Sequence, residues 1–324
     1  MSHRSSHYEQ INNQAQETLR HILDVPDNYK ILFMQGGGTG IFAAVALNLI
    51  SKTGSADYVV TGSWSAKAAN EAKKYGKVNL VLPPRDNYLN IPDQSTWSLD
   101  PNASYIYYCA NETINGIEFP YIPEAKGIPL VADMSSNFLS KPINVSKFGV
   151  IFASAQKNIG PAGITVVIIR DDLLDQPMPS CPSILDFTIM AKFNSLYNTP
   201  PCFCAYVMGK VFKWIDKNGG VKGMEVNAVT KSSMLYSTID DSNGFYSCPI
   251  SKDVRSRMNV PFRITGQEEL EQLFLEESKK AGMIQLKGHR SVGGLRASLY
   301  NAVSISDTKV LTDFMAEFRA KYHK

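Results

Sequence analysis

Lys157 follows the run Gly-Val-Ile-Phe-Ala-Ser-Ala-Gln and precedes Asn-Ile-Gly-Pro-Ala-Gly. A lysine between an apolar strand and a glycine- and proline-punctuated turn is either a solvent-facing amine, as most lysines are, or an amine in a partly dry pocket. In the second setting its pKa falls and it becomes able to form a Schiff base. Asp133 closes the apolar run Ile-Pro-Leu-Val-Ala-Asp; a lone acid there is often a helix cap or turn former. Trp64 ends Tyr-Val-Val-Thr-Gly-Ser-Trp and alone would count as core packing. Gln35-Gly36-Gly37-Gly38-Thr39-Gly40 separates two apolar runs. It reads as strand, glycine turn and helix, which presents helix N–H groups to a phosphate.

The glycine loop is not a Walker A motif, because no Gly-Lys-Ser/Thr follows it. Gly38, Gly40 and Ala43 can be forced into a dinucleotide signature. That signature also needs an acid closing the next strand, and Asp57 opens that strand instead. Taken alone, the loop leaves a tight packing turn and a phosphate site equally open. Its neighbours decide. An acid at a pyridine nitrogen, with a lysine Schiff base at the far end of the ring, is what pyridoxal phosphate needs. Trp64 supplies a flat face to stack on such a ring.

The elements that must position these residues follow from the apolar runs. Residues 57–62, 77–83, 104–113, 128–136, 148–158 and 163–172 read as strands, and 65–76 as a helix stopped by a glycine. Continuous apolar strands between helical stretches predict an α/β fold with a mostly parallel sheet buried on both faces. Binding residues gather at the carboxyl ends of such strands, so Gly38, Asn111–Thr113, Asp133–Asn137 and Gln156–Lys157 are expected together. From about residue 201 the texture changes to helices and strands without regular alternation. This predicts a smaller α+β domain, with the division drawn at 1–228 and 229–324.

The bulk composition is ordinary for a soluble globular protein. The 324 residues are 44% hydrophobic and 19% charged, with a net charge of +3 and no long basic block. Charge therefore gives no support to a nucleic-acid or membrane-surface partner. The polar start Met-Ser-His-Arg-Ser-Ser has no signal-peptide core, and no apolar run reaches membrane-span length. Cys202 and Cys204 flank one residue, but no second pair or nearby histidine completes a zinc site, so no metal is expected. Free thiols point to a reducing, cytoplasmic setting.

Several long segments resemble the phosphoserine aminotransferases, class-V aminotransferases of the type I pyridoxal-phosphate transferase fold. They include QGGGTGIFAAVALNL, TGSWSAKAANEAKKYG, YCANETINGIEF, LVADMSSNFLS, ASAQKNIGPAGITVVIIRDDLL, NSLYNTPP, RSRMNVPFRI and GHRSVGGLRASLYNA, spread over essentially the whole chain. The resemblance implies that Lys157 forms the internal aldimine with the cofactor and shuttles a proton. Asp133 would pair with the pyridine nitrogen, Trp64 would stack on the ring and Thr113 would help hold it. Gly38, Thr39 and Gln156 would bind the cofactor phosphate, joined by Asn198 and Thr199 from a partner subunit, which implies a homodimer. Arg296 would take the substrate α-carboxylate. His289 and Arg290 would take the phosphate or glutamate side chain, and His3 and Arg4 would reach the same anion across the interface.

The implied reaction is ping-pong transamination: O-phospho-L-serine and 2-oxoglutarate interconvert with 3-phosphohydroxypyruvate and L-glutamate, on the route to serine. The family begins further upstream, with an Asn-Phe-x-x-Gly-Pro segment, so a shortened form is expected here. One rival is accordingly a catalytically impaired form that binds the cofactor or pairs with a full-length subunit. A second rival, an NAD-dependent oxidoreductase, rests on the glycine loop alone and leaves Lys157 without a role.

Overall fold

The computed structural model describes residues 2–266 and 268–323. In chain order the elements begin with α1 (Ser6–Leu23), β1 (Tyr29–Met34), α2 (Gly37–Leu49), β2 (Ser55–Val59), α3 (Ser63–Ala72) and β3 (Lys77–Leu80). They continue with β4 (Ile106–Cys109), β5 (Asn111–Glu112), β6 (Ile117–Glu118), β7 (Leu130–Asp133), β8 (Val150–Ser154) and β9 (Thr165–Arg170). Next come α4 (Phe187–Lys192), α5 (Cys202–Lys217) and α6 (Gly220–Asp240). The last are β10 (Tyr246–Ser247), β11 (Asn259–Ile264), α7 (Glu268–Lys280), β12 (Leu295–Ser298) and α8 (Ile305–Tyr322).

Seven strands form one sheet in the order β1-β9-β8-β7-β4-β2-β3. β9 pairs antiparallel with β1 and β8, and every other neighbouring pair is parallel. Six strands therefore share one direction and β9 alone opposes them. The expected mostly parallel sheet is present, and the exception has a simple cause. The connection between β8 and β9 is shorter than the dozen or so residues a parallel crossover needs.

Both faces of the sheet are covered, which is why its strands read as unbroken apolar runs. In β9, Val166 and Ile168 pack with Ala15 and Leu19 of α1 and with Met208 and Phe212 of α5. Val167 and Ile169 point to the other face, into a core with Phe42 and Val45 of α2 and Ala68 and Ala72 of α3. Alternate residues thus serve alternate layers.

Two local expectations change. Residues 6–23 carried no predicted element, yet they form α1, capped where the Ser5 hydroxyl accepts from the Tyr8 N–H. Its buried Tyr8, Ala15, Leu19 and Ile22 keep helical spacing but are sparse among polar residues. The run 104–113 is two strands instead of one, because after β4 the chain turns into the β5–β6 hairpin.

A second, antiparallel sheet, β10-β11-β12, packs against Leu235 of α6, Phe274 of α7 and Leu311 and Met315 of α8. α6 carries the chain between the two bodies: Met224 belongs to the first core, Leu235 and Ile239 to the second. Residue 228 lies within this helix.

Candidate active site

The six co-directional strands release their chain ends at one edge of the sheet, and a cavity of about 200 Å³ opens there. The start of α2 brings Gly38 and Thr39, and the start of α3 brings Trp64. The β5–β6 hairpin brings Thr113, the end of β7 brings Asp133, and the turn after β8 brings Gln156 and Lys157.

The glycine loop closes because its first glycine, Gly36, has no side chain. Gly36 sits at φ +95, and a Cβ there would stand 3.2 Å from Gly40 Cα. No side chain caps α2, so the N–H groups of its first turn keep their positive end for an anion. Serine hydroxyls stand close by: a Cβ on Gly38 would lie 3.7 Å from Ser135 Oγ, and one on Gly37 3.6 Å from Ser154 Oγ.

Lys157 Nζ donates to Thr113 Oγ1 at 2.6 Å and lies 5.2 Å from the centre of the Trp64 ring. Burial pushes its pKa down, opposed by Asp133, Cys109 and Glu112 and reinforced by Arg296. Asp133 is buried; its Oδ1 accepts from the Ser135 N–H at 2.9 Å, and Tyr107 OH reaches Oδ2 at 3.5 Å. Burial raises the Asp133 pKa, while the Ser135 hydrogen bonds and the Lys157 charge pull it back. An amine that loses its proton readily and an acid aimed at the same cavity suit carbonyl–amine chemistry.

Comparison with known proteins agrees with this geometry. The family described as Aminotransferase class-V matches residues 1–311. Phosphoserine aminotransferase of Drosophila melanogaster is 63% identical over 322 residues, covering 98% of this chain and 88% of the relative. The chain belongs to the class-V aminotransferases. Among solved structures, phosphoserine aminotransferase from Bacillus circulans subsp. alkalophilus superposes with a TM-score of 0.96 at 43% identity, covering 99% of this chain and 89% of that one. PLP-bound phosphoserine aminotransferase from Trichomonas vaginalis gives 0.94 at 42% identity, covering 98% and 90%. The type I fold expected from the sequence stands on these matches.

The rest of the aminotransferase's expected site divides in two. Arg296, on β12, does not itself line the cavity but donates through Nη1 to the carbonyl oxygen of Thr113, which does, at 3.2 Å. His289 precedes β12, and its Nδ1 shares a hydrogen with Ser291 Oγ at 2.7 Å. Partial burial lowers the His289 pKa, helped by the charges of Arg296, Arg290 and Lys67, which marks a basic cluster. Arg290 itself is exposed. Asn198, Thr199, His3 and Arg4 do not line the cavity of their own chain. The Thr199 carbonyl oxygen accepts from Gln35 Nε2 at 3.3 Å, beside the glycine loop.

Sequence reasoning passed over Phe42, Cys109 and Ser154, which also line the cavity. Phe42 and Cys109 are indistinguishable from core residues in the sequence. Ser154 carried a weak signal, as a polar residue at the end of an apolar strand; its hydroxyl donates to Gln156 Oε1 at 2.5 Å.

Proposed function

We propose that this chain is a pyridoxal-phosphate-dependent phosphoserine transaminase, interconverting O-phospho-L-serine and 2-oxoglutarate with 3-phosphohydroxypyruvate and L-glutamate in L-serine biosynthesis. The observation that carries the reading is the convergence of buried Lys157 and Asp133 on a cavity that also holds Trp64 and the uncapped start of α2. The relatives named phosphoserine aminotransferase support the substrate.

The donor set fits the cofactor. Two buried polar atoms at the site, Trp64 Nε1 and Arg296 Nε, lack a protein partner, as expected of groups that meet a ligand. Pyridoxal phosphate, when bound, supplies an aldehyde for condensation with amines and a ring that accepts electrons from the substrate Cα. Lys157 would hold the aldehyde end, and its neutral amine would take and return the Cα proton. Asp133 would keep a proton on the ring nitrogen. Gly38, Thr39 and Gln156 would bind the phosphate at the start of α2. Arg296 suits a carboxylate through its planar fork, and the cluster of His289, Arg290 and Lys67 suits the second anion of a phosphoamino acid.

The site is proposed to be completed in a homodimer, with Asn198, Thr199, His3 and Arg4 acting on the partner's cavity. Exposed aromatics near Asn198 and Thr199 support this: Phe193 and Tyr197 pack edge-on at 5.4 Å, and Phe203 is 74% exposed. Such a patch favours a protein contact. The five cysteines are free, which fits a cytoplasmic setting.

The test is turnover of the purified chain with the cofactor, 2-oxoglutarate and one amino donor at a time. Glutamate formation that prefers O-phospho-L-serine over L-serine and is abolished by Lys157→Ala supports the reading. Turnover with other donors but not with phosphoserine overturns it.

A further inference from the structure

Glu112 is fully buried, and among the described residues it forms no ion pair with a lysine, arginine or histidine. Its carboxylate is spent on the start of α3. Oε2 accepts from the Trp64 N–H at 2.9 Å, and Oε1 accepts from the Ser65 N–H at 2.8 Å and the Ser65 hydroxyl at 2.6 Å. Ser65 Oγ itself accepts from the N–H groups of Thr61 and Gly62 at 3.0 and 3.2 Å. Its own hydrogen has two acceptors in reach, Glu112 Oε1 at 2.6 Å and the Gly62 carbonyl oxygen at 3.1 Å, and the contact to Glu112 is the shorter. Both carboxylate oxygens receive backbone N–H donors, from Trp64 on Oε2 and from Ser65 on Oε1, an arrangement that suits the ionised form.

The same hairpin holds the preceding N–H as well, since Asn115 Oδ1 accepts from the Ser63 N–H at 3.0 Å. The first three N–H groups of α3 are thus gripped by the β5–β6 hairpin, and Trp64 is the middle one. The residue after Glu112 is Thr113, which takes the Lys157 amine. Burial raises the Glu112 pKa, and the Ser65 and Trp64 hydrogen bonds oppose that rise.

We propose that Glu112 is a positioning residue of the site: ionised, it fixes the first turn of α3 and with it the Trp64 ring, and it supplies part of the negative charge that Lys157 faces. The other groups facing Lys157 are Asp133 from β7, Cys109 from β4 and Arg296 from β12. Those sensing Glu112 include Asp133, Cys109, Tyr107 and, from the loop after β3, Tyr88. Charge and geometry are separable here, because Asn115 grips α3 without carrying a charge.

The proposal deepens the transaminase reading but is tested without cofactor or substrate, so the two fail separately. Lys157 in the cofactor-free protein is acetylated with a trace of acetic anhydride across a pH series and read by mass spectrometry. In Glu112→Gln the midpoint of Lys157 reactivity falls by roughly half a unit or more, because a nearby negative charge is gone. In Asn115→Ala it stays where it was. An unmoved midpoint in Glu112→Gln, or an equal shift in Asn115→Ala, overturns the proposal. Should Glu112→Gln not fold, the wild-type protein with ¹³C-labelled glutamate carboxyls decides by infrared spectroscopy. Absence of a buried protonated carboxyl band at neutral pH supports an ionised Glu112, and its presence overturns it.

Discussion

Arg296 and Lys157 meet on one residue: the guanidinium donates to the Thr113 carbonyl oxygen at 3.2 Å, and the amine donates to the Thr113 hydroxyl at 2.6 Å. Arg296 comes from the antiparallel sheet, and Lys157 from the turn after β8. The spacing between the Arg296 guanidinium and the Lys157 amine is therefore set by a two-stranded hairpin belonging to neither parent element.

Arg296→Lys keeps the charge but loses the fork and the reach to Thr113. Replacing it should raise KM for phosphoserine and for glutamate together by roughly 30- to 150-fold, the cost of about 2–3 kcal/mol for charged hydrogen bonds. Steady-state kinetics with each substrate check this, and KM values within a factor of two of wild type would count against the role.

Thr113→Val is nearly isosteric and leaves the Lys157 amine without its acceptor. A buried amine that loses a hydrogen bond becomes still harder to protonate. The expected result is a fall in kcat of about tenfold, the worth of roughly 1.4 kcal/mol, with thermal stability little changed. Rapid-mixing measurement of the phosphoserine half-reaction provides the reading.

Gly62 has an extended backbone, φ −179 and ψ −167, so no left-handed strain requires a glycine. The constraint is space, because a Cβ would run into the Glu112 carboxylate. Gly62→Ala should cost about 1–3 kcal/mol through overpacking, seen as a lower urea midpoint. It should also shift the Lys157 reactivity midpoint, because the displaced group is Glu112.

Glu118 is buried and held by Arg257, whose Nη2 and Nε donate to it at 2.6 and 3.2 Å, with Lys141 Nζ at 3.7 Å. Burial raises its pKa, but Arg257 and Lys141 outweigh burial and hold it below the ordinary 4.5. A depressed folded pKa gives stability that is present above the unfolded value and lost as pH falls through the folded one. Glu118→Gln should therefore cost about 3 kcal/mol at pH 7, leaving two half-buried cations short of a partner. The gap to wild type should shrink in urea titrations as pH falls below 4.5; a gap independent of pH would contradict the ion-pair account.

Much of the site was legible because its residues end apolar strands or follow them within a few positions. In a sheet whose strands mostly share a direction, that local fact implies a shared edge, so Asp133, Lys157, Trp64 and the glycine loop could be gathered on paper. Glu112 was not singled out by the same argument. In sequence it is one polar residue of Asn-Glu-Thr, and only its partners reveal what it does.

The amino-acid sequence by itself determined the strand-and-helix alternation, the strand-end chemistry and the family, because these depend on short-range periodicity and on motifs contiguous in the chain. Tertiary structure decided the rest. It set the reversed direction of β9, the split of residues 104–113 into strand and hairpin, and the seating of Lys157 on Thr113 and of Trp64 on Glu112. These depend on contacts between residues distant in the chain, where burial and hydrogen-bond satisfaction, not local propensity, select the arrangement.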